Sequence, residues 1–475
     1  MQFLFGVLGL TLVALALQFN GLYGQDAHEY LRQSLAFRSV LSGHFFNITE
    51  QGSLDFAPGY PFLGALFQVF NLPAIFSLQA ISILAAGISL LLLERLLIVL
   101  SPGTTRLSRL AFIGLLCLGA PLFIRAGICS MSDSLGLALA LAALLSGLKS
   151  LEIRSIREIL YFAFFTSAAI SVRYAMAALL LPLVIVFLLL MVQKKQWLSV
   201  LASGMIGISV FMVFSVLKNG VGLNLFQHSL VSQWSLLNLF KASFENINGH
   251  ISYLVINLLY IIFYPILHPG FCILLPGLLL LFKKTDIHLP AKKILAACLL
   301  CYLLLLGGIA HQNLRYLLPA YTLWLLLLFP AWDRFFAYGG YFFKKTTYGV
   351  LLAVFFCQIA GAVWFIKPII ARNHLEINTA NTLKMTLKSD DTLYAFDLDI
   401  ALKTYLPELK HVNLWSNRYD SFEIGAYILF NEQRLAAQWA GKNPMLNWEH
   451  LQEHYVLHPV LTLQDGWVLY KIRNE

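Results

Sequence analysis

Two carboxylates and three arginines are the residues of this chain best suited to chemistry. Asp26, Asp133, Arg125, Arg173 and Arg315 each stand at or just beyond the end of a long apolar run. Arginine presents a planar fork that binds phosphate oxygens bidentately and keeps its charge at any working pH. A carboxylate beside an apolar wall has its proton affinity raised toward the range of a general base. The set therefore suits a reaction in which a phosphate is held and a hydroxyl is deprotonated. Its densest piece is Gly24-Gln-Asp-Ala-His-Glu-Tyr30, which begins five residues after the uncharged run Phe3 to Phe19 and groups Asp26, His28 and Glu29. An ionisable group there is costly unless it has a function. The plainer readings are that an arginine at a span end snorkels to lipid headgroups and that an acid after a span ends its helix.

What must position these residues is a set of membrane spans. Of the 475 residues 59% are hydrophobic and 12% charged, which excludes a soluble globular chain. Counting apolar stretches of roughly 20 residues predicts about eleven spans. They fall near 3–19, 73–93, 108–124, 134–149, 159–172, 175–193, 198–217, 252–282, 292–310, 315–332 and 347–367. The first has no Lys or Arg before it and is followed by Leu17-Gln-Phe-Asn-Gly21, a poor cleavage site, so it reads as an uncleaved signal anchor. The stretch 252–282 is interrupted by Pro265, Pro269 and Pro276 and reads as a short interfacial helix followed by a span.

Two long loops join these spans on one side. The first, 21–72, predicts an amphipathic surface helix over 27–42, a turn at Ala57-Pro-Gly-Tyr-Pro61 and a second interfacial helix over 62–72. The second, 218–251, carries Gln227, His228, Gln233, Trp234, Asn238 and Glu245 among apolar residues and is expected to lie on or dip into the interface.

Lys and Arg concentrate in alternate loops, among them Arg95, Arg106, Arg109, Arg154, Lys194, Lys283, Arg334 and Lys344, which predicts a cytoplasmic N-terminus and a segment from about 369 outside. Asp26, Asp133, Arg125, Arg173 and Arg315 then share the outer side. Residues 1–368 carry 23 basic against 11 acidic residues, and 369–475 carry 10 against 13. The basicity thus belongs to the membrane portion and fits anionic lipid headgroups better than nucleic acid. All six cysteines fall in or beside spans, so no disulfide framework is expected. A lone sequon, Asn47-Ile-Thr49, is weak evidence for a eukaryotic secretory origin, and a bacterial inner membrane with the site facing the periplasm is the expected location.

Residues 369–475 alternate expected strands (392–396, 411–415, 427–430, 467–472) with helical stretches (400–406, 434–439, 446–454). They predict a small α/β soluble domain beside a transmembrane domain of 1–368. Asp397 and Asp399 read as a solvated strand end in preference to an acceptor contact, and His450, His454 and His458 as a polar helix face and its exit.

Four short motifs in order resemble a known family: Asp26-Ala-x-x-Tyr30 after the first span, Ala57-Pro-Gly-Tyr-Pro61 before the second, Ser132-Asp133 after the third, and His311-Gln-Asn-Leu-Arg-Tyr-Leu-Leu-Pro319 near the penultimate one. Together they look like the GT-C glycosyltransferases, nearest the protein O-mannosyltransferase and lipid A aminoarabinose transferase group. The resemblance implies a polytopic α-helical membrane protein that moves a sugar from a polyprenyl-phosphate carrier to an acceptor hydroxyl on a lipid, glycan or protein at the outer face, with inversion. It makes Asp26 the leading catalytic acid and sets Asp133 near the acceptor or a metal. Within the matching motifs, Arg315, Tyr316, His311 and Tyr60 become candidates for donor or substrate binding, with Arg125 and Arg173 beside them. The chain departs from the mannosyltransferases in having Ala27 where a second acid commonly follows, and from the aminoarabinose transferases in having Ala57 where a lysine precedes the paired prolines. The sugar and subfamily therefore stay open.

A divalent metal held through Asp26, His28, Glu29 or His311 is a further alternative, although no close His pair with metal-ligand spacing occurs, and His28 alone reads as a surface helix residue. Outside this family, the span count also suits a multi-span transporter or lipid flippase. A polysaccharide polymerase or ligase would use the same lipid-linked donors.

Overall fold

The computed structural model describes residues 2–43, 56–153, 155–220, 232–246, 249–342 and 344–474. The sequon at Asn47, and Arg154, Gln227 and His228, lie outside the described residues. The chain opens with α1 (Gln2–Ala16), α2 (Gly24–Leu41), α3 (Gly59–Val69) and α4 (Ala74–Leu100). There follow α5 (Arg106–Ile113), α6 (Pro121–Ile128), α7 (Asp133–Ile153), α8 (Ile156–Val172), α9 (Met176–Gln193) and α10 (Trp197–Gly220). After a hairpin of β1 (Ser243–Asn246) and β2 (Gly249–Ser252) come α11 (Asn257–Leu267), α12 (Leu275–Leu280), α13 (Pro290–Gly308), α14 (Leu318–Phe342) and α15 (Lys344–Thr386). Among the described residues seven of these, α4, α7, α9, α10, α13, α14 and α15, are long and apolar enough to cross a membrane. The chain is an integral membrane protein.

Helices α7 and α14 form the middle of this bundle, with 78% and 72% of their apolar windows buried, against none for α10. Small residues explain the position of α7: Gly136, Ala140, Ala143 and Gly147 let neighbours approach closely, and a Cβ on Gly147 would lie 2.6 Å from Leu183. Composition alone cannot separate such a helix from a lipid-facing one, since both are apolar throughout.

Two expected spans are broken. The stretch 108–124 is split into α5, a π-turn over Gly114–Leu118 and α6. Pro121 cannot donate to a continuing helix, and in the π-turn before it the Gly119 N–H bonds the Gly114 carbonyl and not that of Leu115, which accepts from the Gln358 side chain at 3.2 Å. The stretch 252–282 contains no spanning helix, because it holds only the end of the hairpin and helices α11 and α12, of 11 and 6 residues. Its prolines leave no uninterrupted run long enough.

Close backbone approach fixes where the loops enter. Gly21, at φ +89, accepts a hydrogen bond from the Ser130 backbone N–H at 2.8 Å, joining the α1–α2 link to the turn before α7. In Ala57-Pro-Gly-Tyr-Pro61, Gly59 starts α3 against the end of α8, where a Cβ would sit 2.9 Å from the Ser171 carbonyl oxygen. α3 can therefore dock there only without a side chain.

The long α15, of 43 residues, runs past Pro368 into the C-terminal α/β unit. That unit adds β3 (Thr392–Ala395), α16 (Asp399–Tyr405), β4 (Lys410–Asn413), β5 (Tyr427–Phe430), α17 (Glu432–Trp439), α18 (Asn443–His454), β6 (Val456–Thr462) and β7 (Val468–Arg473). The sheet order is β4-β3-β5-β7-β6, with β3 parallel to β4 and β5, and β7 antiparallel to β5 and β6. Leu375 and Leu383 of α15 cover one face together with Leu393, Leu429 and Leu469, while Trp448 and Trp439 cover the other against Phe430 and Phe396.

Gly59→Ala is expected to lower the thermal midpoint of the purified protein in detergent, by an overpacking cost of about 1–3 kcal/mol. An unchanged midpoint would mean that α3 and α8 can separate freely.

Candidate functional site

Four elements converge on two ion pairs. Asp26 stands in the first turn of α2 and pairs with Arg315, while Asp133 opens α7 and pairs with Arg173, which caps the C-terminal end of α8. Arg315 belongs to a short 3-10 helix, 314–317, whose N-cap Asn313 side chain accepts from the Arg315 backbone N–H at 3.2 Å. The ring of Tyr316 lies beside both cations, 5.0 Å from the Arg173 guanidinium carbon and 5.4 Å from that of Arg315. The Tyr30 hydroxyl, 2.8 Å from Ser132 Oγ, links α2 to the residue before Asp133.

These groups form the polar end of a cavity of ≈ 540 Å³. Arg173, Arg315, Tyr316, Tyr30 and Ser132 line that end, and Ile170, Val172, Ala178, Leu181, Leu306 and Ile309 are among the apolar walls. A hollow of ≈ 180 Å³ between α8 and α10 shares Ile170 and Tyr174 with it. Neither aspartate lines the cavity itself; each stands with its arginine, and the Asp26 side chain remains 27% exposed. The arrangement suits an amphiphile with an anionic head and an apolar tail.

The other sequence candidates fall into three groups. Arg125 stacks over Tyr23 at 5.4 Å and shares a small hollow with Asp133, Met131 and Arg315, so it lies beside the two pairs. His311 reaches Tyr253 Oη from Nδ1 at 2.9 Å, with its ring 6.2 Å from that of Tyr316. Burial, and secondly the Arg315 charge, hold its pKa down to about 4, so it is neutral at ordinary pH. Tyr60 is fully buried behind Tyr30, with ring centroids 5.1 Å apart; its hydroxyl donates to the Leu78 carbonyl at 2.9 Å and lies 2.8 Å from Ser82 Oγ. It supports the cavity wall and does not line it.

His28 and Glu29 depart from expectation. His28 is not a surface residue: its side chain is fully buried, with Nε2 3.1 Å from Glu376 and Nδ1 3.0 Å from Thr404. Glu29, also buried, accepts from Arg32 at 3.0 Å and Gln33 at 2.9 Å. The two side chains have separate partners, and among the described residues no three His, Cys, Asp or Glu side chains converge as a metal-ligating group. The expected solvated end at Asp397 and Asp399 is likewise replaced by ion pairs from Arg372 and Arg434 to Asp397 and by full burial of Asp399. Tyr30 and Ser132 belong to the motifs Asp26-Ala-x-x-Tyr30 and Ser132-Asp133 but carried no site role of their own in the sequence, although Tyr30 follows Asp26 at the four-residue spacing that shares a helix face.

Burial outweighs the Arg32 charge and the hydrogen bonds at Glu29, raising its carboxyl from the ordinary 4.5 to about 7. The folded protein holds a proton that the unfolded chain releases. The stability linked to Glu29 is therefore full below about 4.5 and is lost as pH rises through about 7. Glu29→Gln is expected to flatten the fall of the thermal midpoint over that interval, and an unchanged slope would count against the assignment.

No family model matches the chain, and no curated protein matches its sequence. Solved structures do match. ArnT from Cupriavidus metallidurans bound to undecaprenyl phosphate aligns with a TM-score of 0.62 at 15% identity, over 98% of this chain and 97% of that chain. The apo state of the same protein aligns with a TM-score of 0.62 at 14% identity and equal coverage. The likeness is one of fold, and it spans both the helical bundle and the C-terminal sheet: this chain has an ArnT-like fold.

Proposed function

We propose that this protein is a glycosyltransferase that moves a sugar from a polyprenyl-phosphate-linked donor to an acceptor hydroxyl, on a lipid, glycan or protein, at the outer face of a bacterial inner membrane. The observation that carries this reading is the pair of arginines around Tyr316 at the polar end of an otherwise apolar cavity, each already paired with an aspartate. The ArnT structure of the same fold, bound to undecaprenyl phosphate, supports a carrier of that class.

In this reading the donor chain lies along the apolar wall and the phosphate meets Arg315 and Arg173. The phosphate replaces the Asp26 carboxylate on Arg315, so binding the donor releases the base. The acceptor oxygen attacks the anomeric carbon from the face opposite the phosphate. As that bond forms, the carbon–oxygen bond to phosphate breaks, its electron pair stays on the phosphate oxygen beside the guanidinium groups, and the hydroxyl proton passes to Asp26. A single displacement of this kind inverts the anomeric centre. Asp133 holds Arg173 in place, and His311, neutral beside Tyr316, braces the aromatic ring between the cations. Since the candidate ligands His28 and Glu29 do not converge, no step is assigned to a metal.

Release of polyprenyl phosphate from a labelled lipid-linked sugar by the purified protein tests the reading. Asp26→Asn is expected to slow release at least about 100-fold in protein that melts as the wild type does. Arg315→Lys should raise the donor KM roughly 10-fold or more, since it removes a charge-assisted fork. Full turnover by Asp26→Asn would refute the base assignment, and no release by the wild type would refute the transferase.

A further inference from the structure

Asp26 stands at the start of a helix that follows an irregular link, with Gln18, Gly21 and Gly24 all at positive φ. Such a position is mobile unless something outside it holds it. Two residues on, and about 200° round the helix, His28 turns away from the cavity into a buried polar seam. Its Nε2 meets Glu376 of α15 at 3.1 Å and its Nδ1 meets Thr404 of α16 at 3.0 Å. The other Glu376 oxygen accepts from Arg372 Nε at 2.7 Å. Arg372 then donates to the Asp397 carboxylate at 2.9 Å and to its backbone carbonyl at 2.8 Å. Asp397 is held at φ +69, a conformation that costs a non-glycine residue energy and persists only where surrounding contacts impose it.

A second arm holds the link itself. Asn373 Nδ2 donates to Asn20 Oδ1 and to the Leu22 carbonyl, both at 2.8 Å, and Asn20 Nδ2 donates to Tyr405 Oη at 3.1 Å. One turn of α15 and the end of α16 thus grip the chain on both sides of Gly24. His28, Glu376 and Asn373 are fully buried, and there breaking one contact leaves another polar group without a partner.

We propose that the C-terminal unit is a positioning element of the transfer site: His28, Glu376 and Arg372, with Asn373 and Tyr405 beside them, fix the start of α2 so that Asp26 meets Arg315 and the incoming hydroxyl. This rests on the transferase reading above. The arms act through α2 and touch neither cavity nor donor, so they govern turnover and leave donor binding to Arg315 and Arg173.

The test compares wild type, His28→Leu, His28→Gln and Glu376→Gln in the full-length protein by donor turnover and by amide hydrogen exchange over residues 20–30. His28→Leu is expected to lower kcat roughly 10- to 100-fold, as a small misplacement of a reacting group does, with donor KM unchanged within about twofold. His28→Gln, whose amide can still donate to Glu376, should recover most of the loss, and exchange over 20–30 should rise in His28→Leu and Glu376→Gln. In an Asp26→Asn background His28→Leu should add no further loss, because the group it positions is gone. Unchanged kcat and unchanged exchange in His28→Leu would overturn the positioning role while the transferase stands. A rise in KM equal to the fall in kcat, or an additive loss in the Asp26→Asn background, would reduce the seam to general stability. A wild type without turnover would overturn the transferase reading, and with it this one.

Discussion

An arginine that faces an apolar cavity has to be neutralised, and this requirement organises the site. Leaving one buried charge without its partner costs several kcal/mol, far more than a surface pair returns. Arg173 and Arg315 end or follow apolar segments, and the aspartates that pair with them come from the starts of α7 and α2. Each pairing ties a helix terminus to a loop that would otherwise be free. The Gly21–Ser130 backbone bond, the Tyr30–Ser132 contact and the position of Tyr316 between the cations all lie around these two pairs. A ligand that supplies its own negative charge can exchange with a carboxylate at little net electrostatic cost, which is how a resting ion pair becomes a binding site.

Much of this was legible in the sequence because charges are scarce in a chain so apolar. Asp26, Asp133, Arg173 and Arg315 were visible as ionisable residues at span ends, and the structure brings them together. Which arginine meets which aspartate was not legible, since it depends on contacts between residues 40 and 289 positions apart. Tyr60 belonged to a motif yet turns out to be a buried support, because a tyrosine's hydroxyl can find a carbonyl as easily as a substrate.

The misreadings have physical causes too. His28 appeared to be a surface residue because α2 is amphipathic, but the face taken as solvated packs on α15 and α16. Hydropathy saw 108–124 as continuous and could not register the π-turn braced by Gln358; in 252–282 the prolines announced a break, but the expected span after the first helix is only six helical residues long. In the C-terminal unit β3, β4, β5 and β7 were legible, whereas β6, mostly exposed and carrying Pro459 at a register shift, shows no alternation to read.

The same constraint joins the two parts of the molecule. Helix α15 carries lipid-compatible residues for most of its length and then Arg372, Asn373 and Glu376, which meet α2 and the sheet unit within about one turn. The C-terminal sheet is thereby tied to the segment that presents Asp26.

The central claim is that the donor phosphate takes the place of Asp26 on Arg315. A structure of the protein with bound polyprenyl phosphate tests this most directly. The account predicts phosphate oxygens within hydrogen-bond distance of the Arg315 guanidinium, the apolar chain in the cavity between α8 and α13, and the Asp26 carboxylate released toward solvent. A bound phosphate elsewhere, with the Asp26–Arg315 pair intact, would contradict it.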